Sequence, residues 1–179
     1  MKILMLGIGN IMFSDEGIGV HLSRLLKRKY RFSSAEHTIE IVDGGTLAQL
    51  LTPIIAQFDY CLIFDCISAD DADFGDVFFF DYEDMPRGVH WQGSAHEVEM
   101  LQTLAMMDML GDRPRTKIIG IVPQVVGDTT LTMTESAKKG ALVMEQTAIA
   151  HIKDLGVAVE TIEPELTIQQ VANEFGRRE

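Results

Sequence analysis

Residues 2–19 read KILMLGIGNIMFSDEGIG, and the prediction of the fold begins from this stretch. Its first part, 2–8, is an apolar run that leads into a glycine-containing loop, which is typical of a buried parallel strand. A helix follows, because several apolar side chains recur with helical spacing on one face: Ile18, Leu22, Leu25 and Leu26. Asp15 is expected to cap this helix. The stretch therefore predicts a strand–loop–helix unit whose loop carries the polar residues.

The alternation of strands and helices continues along the chain. Apolar or aromatic runs predict strands at 38–42, 59–66, 77–82 and 117–122, and a last extended piece at 157–162. Helices are predicted at 46–56, about 96–110 and 134–155, with loops at 69–76 and 83–95. This order predicts an α/β three-layer sandwich, a mainly parallel twisted sheet of about five strands with helices on both faces.

The domain organisation is expected to be simple. Residues 1–163 are interpreted as a single α/β domain, because the chain shows no internal repeat and no linker-like segment. The tail, 164–179, is left open between a docked helix and a frayed end.

The charge balance limits the possible partners. The 179 residues include 15 Lys and Arg against 27 Asp and Glu, a formal net charge of −12. Nucleic acid and anionic membranes attract basic surfaces, so neither is expected as a partner. An acidic protein is suited to cations or to a basic peptide segment. No apolar stretch has the length of a bilayer span, and the N-terminus lacks the features of a signal peptide, so a cytoplasmic location is expected.

Two cysteines flank an apolar run, and their separation predicts neither a disulfide nor a zinc pair. Cys61 and Cys66 would point to opposite faces of a strand, and their spacing differs from that of chelating pairs. Both are interpreted as small buried hydrophobic residues.

The loop after the first strand resembles a dinucleotide-binding loop only in part. Gly7 and Gly9 occupy the first two glycine positions of that motif, but Met12 stands where the third glycine is required. Asp15 and Glu16 would repel a pyrophosphate at the start of the helix and are better suited to a cation. Capping needs one carboxylate, which leaves Glu16 available for another task.

Three more candidate residues follow strands or precede a helix. Ligands in parallel α/β sheets bind at the carboxyl ends of the strands, where Asp43 and Asp65 fall. Asp43 is left between a turn and a site role. Asp65 interrupts an apolar run, so its burial requires a cation or hydrogen-bond donors. His96 has Met100 in place of the second histidine of the short zinc-protease motif, so its partners must come from other loops.

The remaining histidines are expected to be ordinary surface or boundary residues: His21, His37, His90 and His151. One histidine and two carboxylates suffice for a divalent ion with open positions. Such an ion can polarise a carbonyl and activate water for amide hydrolysis. From the residues alone, Glu16, Asp65 and His96 predict a metal site with a possible hydrolytic role.

The segments that carry these residues resemble those of the nickel–iron hydrogenase maturation proteases. The matching stretches are 7–10 with 15–19, 43–46, Asp65, 94–96 and 120–123, and the likeness extends over roughly residues 1–160. Members of that family remove a short C-terminal extension from the hydrogenase large-subunit precursor after nickel insertion. The resemblance implies the α/β fold, an endopeptidase activity and this precursor as the partner.

The resemblance also implies roles for individual residues. Glu16, Asp65 and His96 would contact a divalent metal. Nickel is expected, either bound by the protein itself or supplied by the substrate. Asp43 matches an acid of the same cleft, and we interpret it as a supporting residue and a candidate general base. The alternatives are a non-catalytic nickel-binding maturation factor and, less favoured, a nucleotide-binding oxidoreductase.

Overall fold

The computed structural model describes residues 1–46, 48–90 and 95–175, with the side chains of 95–99 and 175 outside this description. The strands are β1 (Lys2–Ile8), β2 (Tyr30–Ser33), β3 (Thr38–Gly45), β4 (Tyr60–Cys66), β5 (Ser68–Ala69), β6 (Val77–Asp81), β7 (Val89–His90), β8 (Arg115–Ile121) and β9 (Ala158–Thr161). The α-helices are α1 (Ile18–Lys29), α2 (Thr52–Ile55), α3 (Ala95–Leu110), α4 (Glu135–Asp154) and α5 (Ile168–Phe175). Short 3-10 turns cover Ser14–Gly17, Ala48–Leu51 and Tyr82–Asp84.

Within the described residues, a five-stranded sheet has the order β3-β1-β4-β8-β6. The first four strands run parallel to one another, and β6 pairs antiparallel with β8. The carboxyl ends of β3, β1, β4 and β8 therefore lie on the same side of the sheet. We call this side, at which the four strands end, the carboxyl edge, as distinct from the edge strands β3 and β6. The predicted α/β architecture with a mainly parallel sheet is confirmed.

The side chains of β1 alternate between two hydrophobic layers. Ile3 and Met5 pack in the layer formed with α1, α4 and α5. Leu4, Leu6 and Ile8 pack in the opposite layer, which contains residues of α2 and α3. A strand that is buried on both faces reads as a continuous apolar run, and β1 shows this pattern. The sheet is thus the middle layer of a three-layer sandwich.

Helix α1 lies against the backbone of β1 and β4. A Cβ atom on Gly19 would collide with the carbonyl oxygens of Ile8 and Phe64, and one on Gly7 would collide with the carbonyl oxygen of Gly19. Only residues without a side chain allow this approach. The 9–17 loop, which joins β1 to α1, is consequently held close to the strand ends.

The structure departs from the sequence predictions at several short elements. Strand β2 was not predicted, and it pairs antiparallel with β9, which lies in the predicted extended piece. The short helix predicted at 46–56 is confirmed in part: Ala48–Leu51 form a 3-10 turn, and the four-residue α2 follows with Pro53 in its first turn, while residue 47 lies outside the described residues. Proline lacks the N–H that a continuous helix needs there. The loops predicted at 69–76 and 83–95 contribute β5 and β7, which pair with each other.

The C-terminal segment packs on the α1–α4 layer. Val171 and Ala172 of α5 are buried, together with Leu166 and Ile168 before and at the start of the helix. Residues 164–175 therefore follow the docked-helix alternative. Among the helices described, none is both long enough and apolar enough to cross a membrane.

Candidate functional site

Three neighbouring strands bring the predicted acids to the carboxyl edge. Asp43 lies beside Gly7 in the β1–β3 register, and Phe64, next to Asp65, lies beside Gly7 on the other side. Glu16 lies in the 9–17 loop that follows β1. The order β3-β1-β4 therefore places Asp43, the Glu16 turn and Asp65 side by side at one end of the sheet.

Glu16 is held in the 3-10 turn Ser14–Gly17 and is only 8% exposed. Its N–H donates to the carbonyl of Phe13 (2.9 Å), and its carbonyl accepts from the N–H of Asn10 (3.1 Å). Gly9, with φ +144°, lies so close that a Cβ atom would collide with the Glu16 carbonyl. The backbone of Glu16 is therefore fixed from two directions before any ligand binds.

Asp65 lies near the end of β4 and is 1% exposed. Its Oδ1 accepts from the N–H of Cys66 (2.8 Å), and its backbone lies opposite Gly120 of β8. A carboxylate buried in so apolar a strand needs hydrogen-bond donors or a cation to offset its desolvation. Cys61 and Cys66 are both buried and neither forms a disulfide, as expected from the sequence.

Asp43 forms an ion pair with α1 while facing the same edge. Its Oδ2 accepts from Nε (2.9 Å) and Nη2 of Arg24, and its Oδ1 accepts from the N–H of Gly45 (3.0 Å). The last contact is the Asx-type turn weighed from the sequence. Asp43 is partly exposed, so its carboxylate combines a turn role with access to solvent.

The side chain of His96 lies outside the described residues. Its backbone belongs to the first turn of α3, which leads to β8. Because β8 starts beside Tyr60, at the amino end of β4, the helix that precedes it is expected to run from the carboxyl edge to the amino edge. This connectivity is consistent with a position of residue 96 near the carboxyl edge. Among the side chains that are described, no three His, Cys, Asp or Glu residues form a group able to hold a metal ion.

Asp15 does not cap α1 as predicted. A 3-10 turn precedes the helix, so Asp15 lies inside that turn, and α1 has no side-chain cap. Its carboxylate instead accepts from backbone N–H groups of Gln124 and Val125 (both 3.1 Å) and of Thr134 (2.9 Å). The interpretation of Asp15 as a structural residue stands, but its partners lie more than 100 residues away.

His21 was wrongly predicted to be a surface or boundary residue, because it is 1% exposed. Neither ring nitrogen has a hydrogen-bond partner among the described residues, and Nε2 packs against Gly17. Burial, reinforced by the nearby Arg24 guanidinium and opposed by Asp43, lowers the pKa of His21 to about 4. His21 follows Ile18 by three residues, so it lies beside the apolar face of α1. This position in the sequence could have indicated that His21 is buried.

The other three histidines with described side chains are not fully buried. His37 is half-buried. His90 is exposed, and its Nε2 lies 3.3 Å from the Asp70 carboxylate. His151 is half-buried and forms a hydrogen bond with the Tyr60 hydroxyl (2.7 Å) at the far end of β4. They fit the surface or boundary prediction.

Comparison with known proteins identifies the family. The family model described as "HycI: Hydrogenase maturation protease" matches residues 20–151. Protein HydD of Wolinella succinogenes is 43% identical over 154 residues, covering 86% of this chain and 96% of that protein. The hydrogenase 2 maturation protease of Escherichia coli K12 is 30% identical over 125 residues, covering 69% of this chain and 74% of that protein.

Solved structures agree with these relatives. The hydrogenase maturating endopeptidase HybD from E. coli superposes with a TM-score of 0.79 at 25% identity, covering 90% of this chain and 98% of that one. The α/β fold of this chain is thus shared with a hydrogenase maturating endopeptidase. The chain belongs to the hydrogenase maturation protease family and is a hydrolase.

The buried His21 predicts a specific pH dependence of stability. Because its folded-state pKa of about 4 is below the ordinary 6.5, the unfolded chain binds more protons between these values. Stability is therefore unaffected by this group above pH 6.5 and falls as the pH drops towards 4. At pH 5 the loss is about 2 kcal/mol, and His21→Leu should abolish it in urea unfolding at pH 7 and pH 5.

An exposed histidine changed in the same way, His90→Leu, controls for the loss of an imidazole as such. The curve of unfolding free energy against pH for His90→Leu should have the same shape as that of the unmodified protein. Only the curve for His21→Leu should have a different shape. If His21→Leu and the unmodified protein lose equal stability between pH 7 and pH 5, His21 is not buried in the neutral form.

Proposed function

We propose that this protein removes a C-terminal extension from the large-subunit precursor of a nickel–iron hydrogenase after nickel has been inserted. The observation that carries this proposal is the burial of two carboxylates, Glu16 in the loop that follows β1 and Asp65 near the end of the adjacent strand β4. Family membership supplies the peptidase activity and the class of substrate. A cytoplasmic location, expected from the sequence, belongs to the same proposal.

The donor set suits nickel. Carboxylate oxygens and an imidazole nitrogen are suitable ligands for a divalent first-row metal, and two carboxylates would offset its charge. Glu16 and Asp65 would supply the oxygens. His96 is proposed as the nitrogen ligand, supported by the connectivity of α3 and β8. The nickel in the precursor is then part of the substrate, and these three side chains are what recognises it.

The protein's own contribution is to position the reacting groups. Glu16 and Asp65 lie on backbone that is fixed by hydrogen bonds and by the sheet, so they can hold a metal-bearing segment without rearrangement. When bound, the metal would act as a Lewis acid on the scissile carbonyl and would acidify a water molecule. Cleavage would then depend on the substrate having been loaded with nickel.

Asp43 is proposed as the general base of this cleft. An ionised carboxylate offers about four acceptor positions, and Arg24 and Gly45 occupy three of those of Asp43. The remaining position is available for the proton of an attacking water. The Arg24 guanidinium would fix the orientation of the carboxylate without removing this capacity.

The metal-contacting role is tested by amide replacements at the buried acids. Glu16→Gln and Asp65→Asn keep the size of each side chain and remove its charge, so cleavage of nickel-loaded precursor should fall by at least about 100-fold. The matched control is Glu145→Gln, a buried carboxylate on α4 that bonds Tyr30 and Lys29 away from the carboxyl edge. This control should retain full cleavage.

Thermal unfolding of each variant separates loss of function from loss of fold. The assignment of Glu16 and Asp65 holds if their variants remain folded and are inactive while Glu145→Gln is active. Folded variants that still cleave the precursor at the unmodified rate would contradict it.

The proposed role of Asp43 is tested by comparing a substitution of Asp43 with a substitution of Arg24, its ion-pair partner. General-base catalysis contributes about 10²–10⁴-fold, so Asp43→Asn should lower kcat by at least about 100-fold. Arg24→Met breaks the same ion pair but leaves the carboxylate, and its kcat should fall much less. Equal losses in the two variants would show that only the ion pair matters.

A further inference from the structure

The Asp15 carboxylate joins the Glu16 turn to the 122–134 loop, which connects β8 to α4. Its Oδ2 accepts from the N–H groups of Gln124 and Val125 (both 3.1 Å) and from the Thr134 hydroxyl (2.8 Å). Its Oδ1 accepts from the Thr134 N–H (2.9 Å). Thr134 is also the N-cap of the 20-residue helix α4, so the carboxylate stands at the positive end of that helix.

The backbone of Asp15 is linked to β4 as well. The Cys66 thiol donates to the Asp15 carbonyl oxygen (3.3 Å), and both residues are buried. Asp15 directly precedes Glu16, and Cys66 directly follows Asp65. The two proposed metal-contacting residues are therefore connected through their immediate neighbours in the chain. We call the Asp15 carboxylate contacts and the Asp15–Cys66 hydrogen bond the brace.

Further backbone contacts surround the same turn. The Ser14 N–H donates to the carbonyl of Thr130 (2.7 Å), and the Thr130 N–H donates to the carbonyl of Met12 (3.0 Å). These bonds join the 9–17 loop to the 122–134 loop along their length. Asp15 adds to them a buried charge that four donor groups satisfy, so the turn has one strongly preferred position.

We propose that Asp15 and Cys66 are positioning residues for cleavage: the brace sets the separation and orientation of Glu16 relative to Asp65. This inference rests on the proposed metal-contacting role of those two residues. Asp15 itself does not touch the substrate, because its carboxylate is buried and directed at backbone donors. Small displacements of ligating groups cost activity steeply, which is why residues behind the ligands matter for rate.

The test compares substitutions in the brace with a control substitution that also replaces a buried carboxylate by an amide but lies away from the carboxyl edge. Asp15→Asn preserves shape, but its amide group faces N–H donors and cannot accept from all of them. Glu145→Gln removes a buried carboxylate remote from the carboxyl edge. Cys66→Ala removes the thiol donor, and Cys66→Ser restores a donor at the same position. Glu16→Gln is measured alongside as the reference for a lost ligand.

Three quantities are measured well below the unfolding midpoint of every variant: kcat, KM for the nickel-loaded precursor, and hydrogen exchange of the Glu16 amide. Asp15→Asn should lower kcat by about tenfold or more, the effect expected behind a metal ligand, and leave KM within about twofold. Its Glu16 amide should exchange faster. Cys66→Ala should lower kcat severalfold, Cys66→Ser should recover it, and Glu145→Gln should change none of the three quantities.

The outcomes separate the brace from the site that it supports. If Glu16→Gln is inactive and Asp15→Asn cleaves within about twofold of the unmodified rate, the brace is refuted and the proposed site stands. If Glu16→Gln cleaves normally, the proposed site fails and the brace fails with it. If Asp15→Asn does not fold, the cysteine pair decides: equal kcat for Cys66→Ala, Cys66→Ser and the unmodified protein overturns the proposal.

Discussion

The contact between α1 and the backbone of β1 and β4 is the constraint on which the site depends. Gly19 lies against the carbonyls of Ile8 and Phe64, and a side chain at that position would separate the helix from both strands. With the helix so close, the 9–17 loop has to turn back over the strand ends. Glu16 is thereby brought to the carboxyl edge, where Asp65 lies near the end of β4.

Two consecutive acids in that loop have different physical roles. Asp15 is saturated by donors from the 122–134 loop and stabilises the turn. The backbone of Glu16 is fixed by hydrogen bonds to Phe13 and Asn10, and its carboxylate is the one that we propose for metal contact. The two acids differ because their side chains leave the 3-10 turn in different directions. Neighbouring residues of such a turn are rotated by about a third of a turn relative to each other. Structural charge and functional charge can therefore stand next to each other in the chain.

The sequence predicted the features that depend on local patterns, such as the strands of the main sheet. It missed the features that depend on pairing between distant segments. Apolar runs located the five strands of the main sheet, and the strand-end rule located Asp43 and Asp65. Strand β2 has four residues and depends on β9, more than 120 residues later, so no local signal defines it. The partners of Asp15 are equally distant. His21 was missed because a polar residue type outweighed its position beside an apolar helical face.

In the proposed function, Glu16, Asp65 and His96 recognise a nickel-loaded precursor, and its cleavage follows. Intact-mass spectrometry can detect this cleavage when the partner large-subunit precursor is incubated with this protein before and after nickel loading. We expect loss of one defined C-terminal peptide from the nickel-loaded form alone. An unchanged mass in both samples would contradict it and favour a non-catalytic nickel-binding factor, and cleavage of both forms would contradict recognition through nickel.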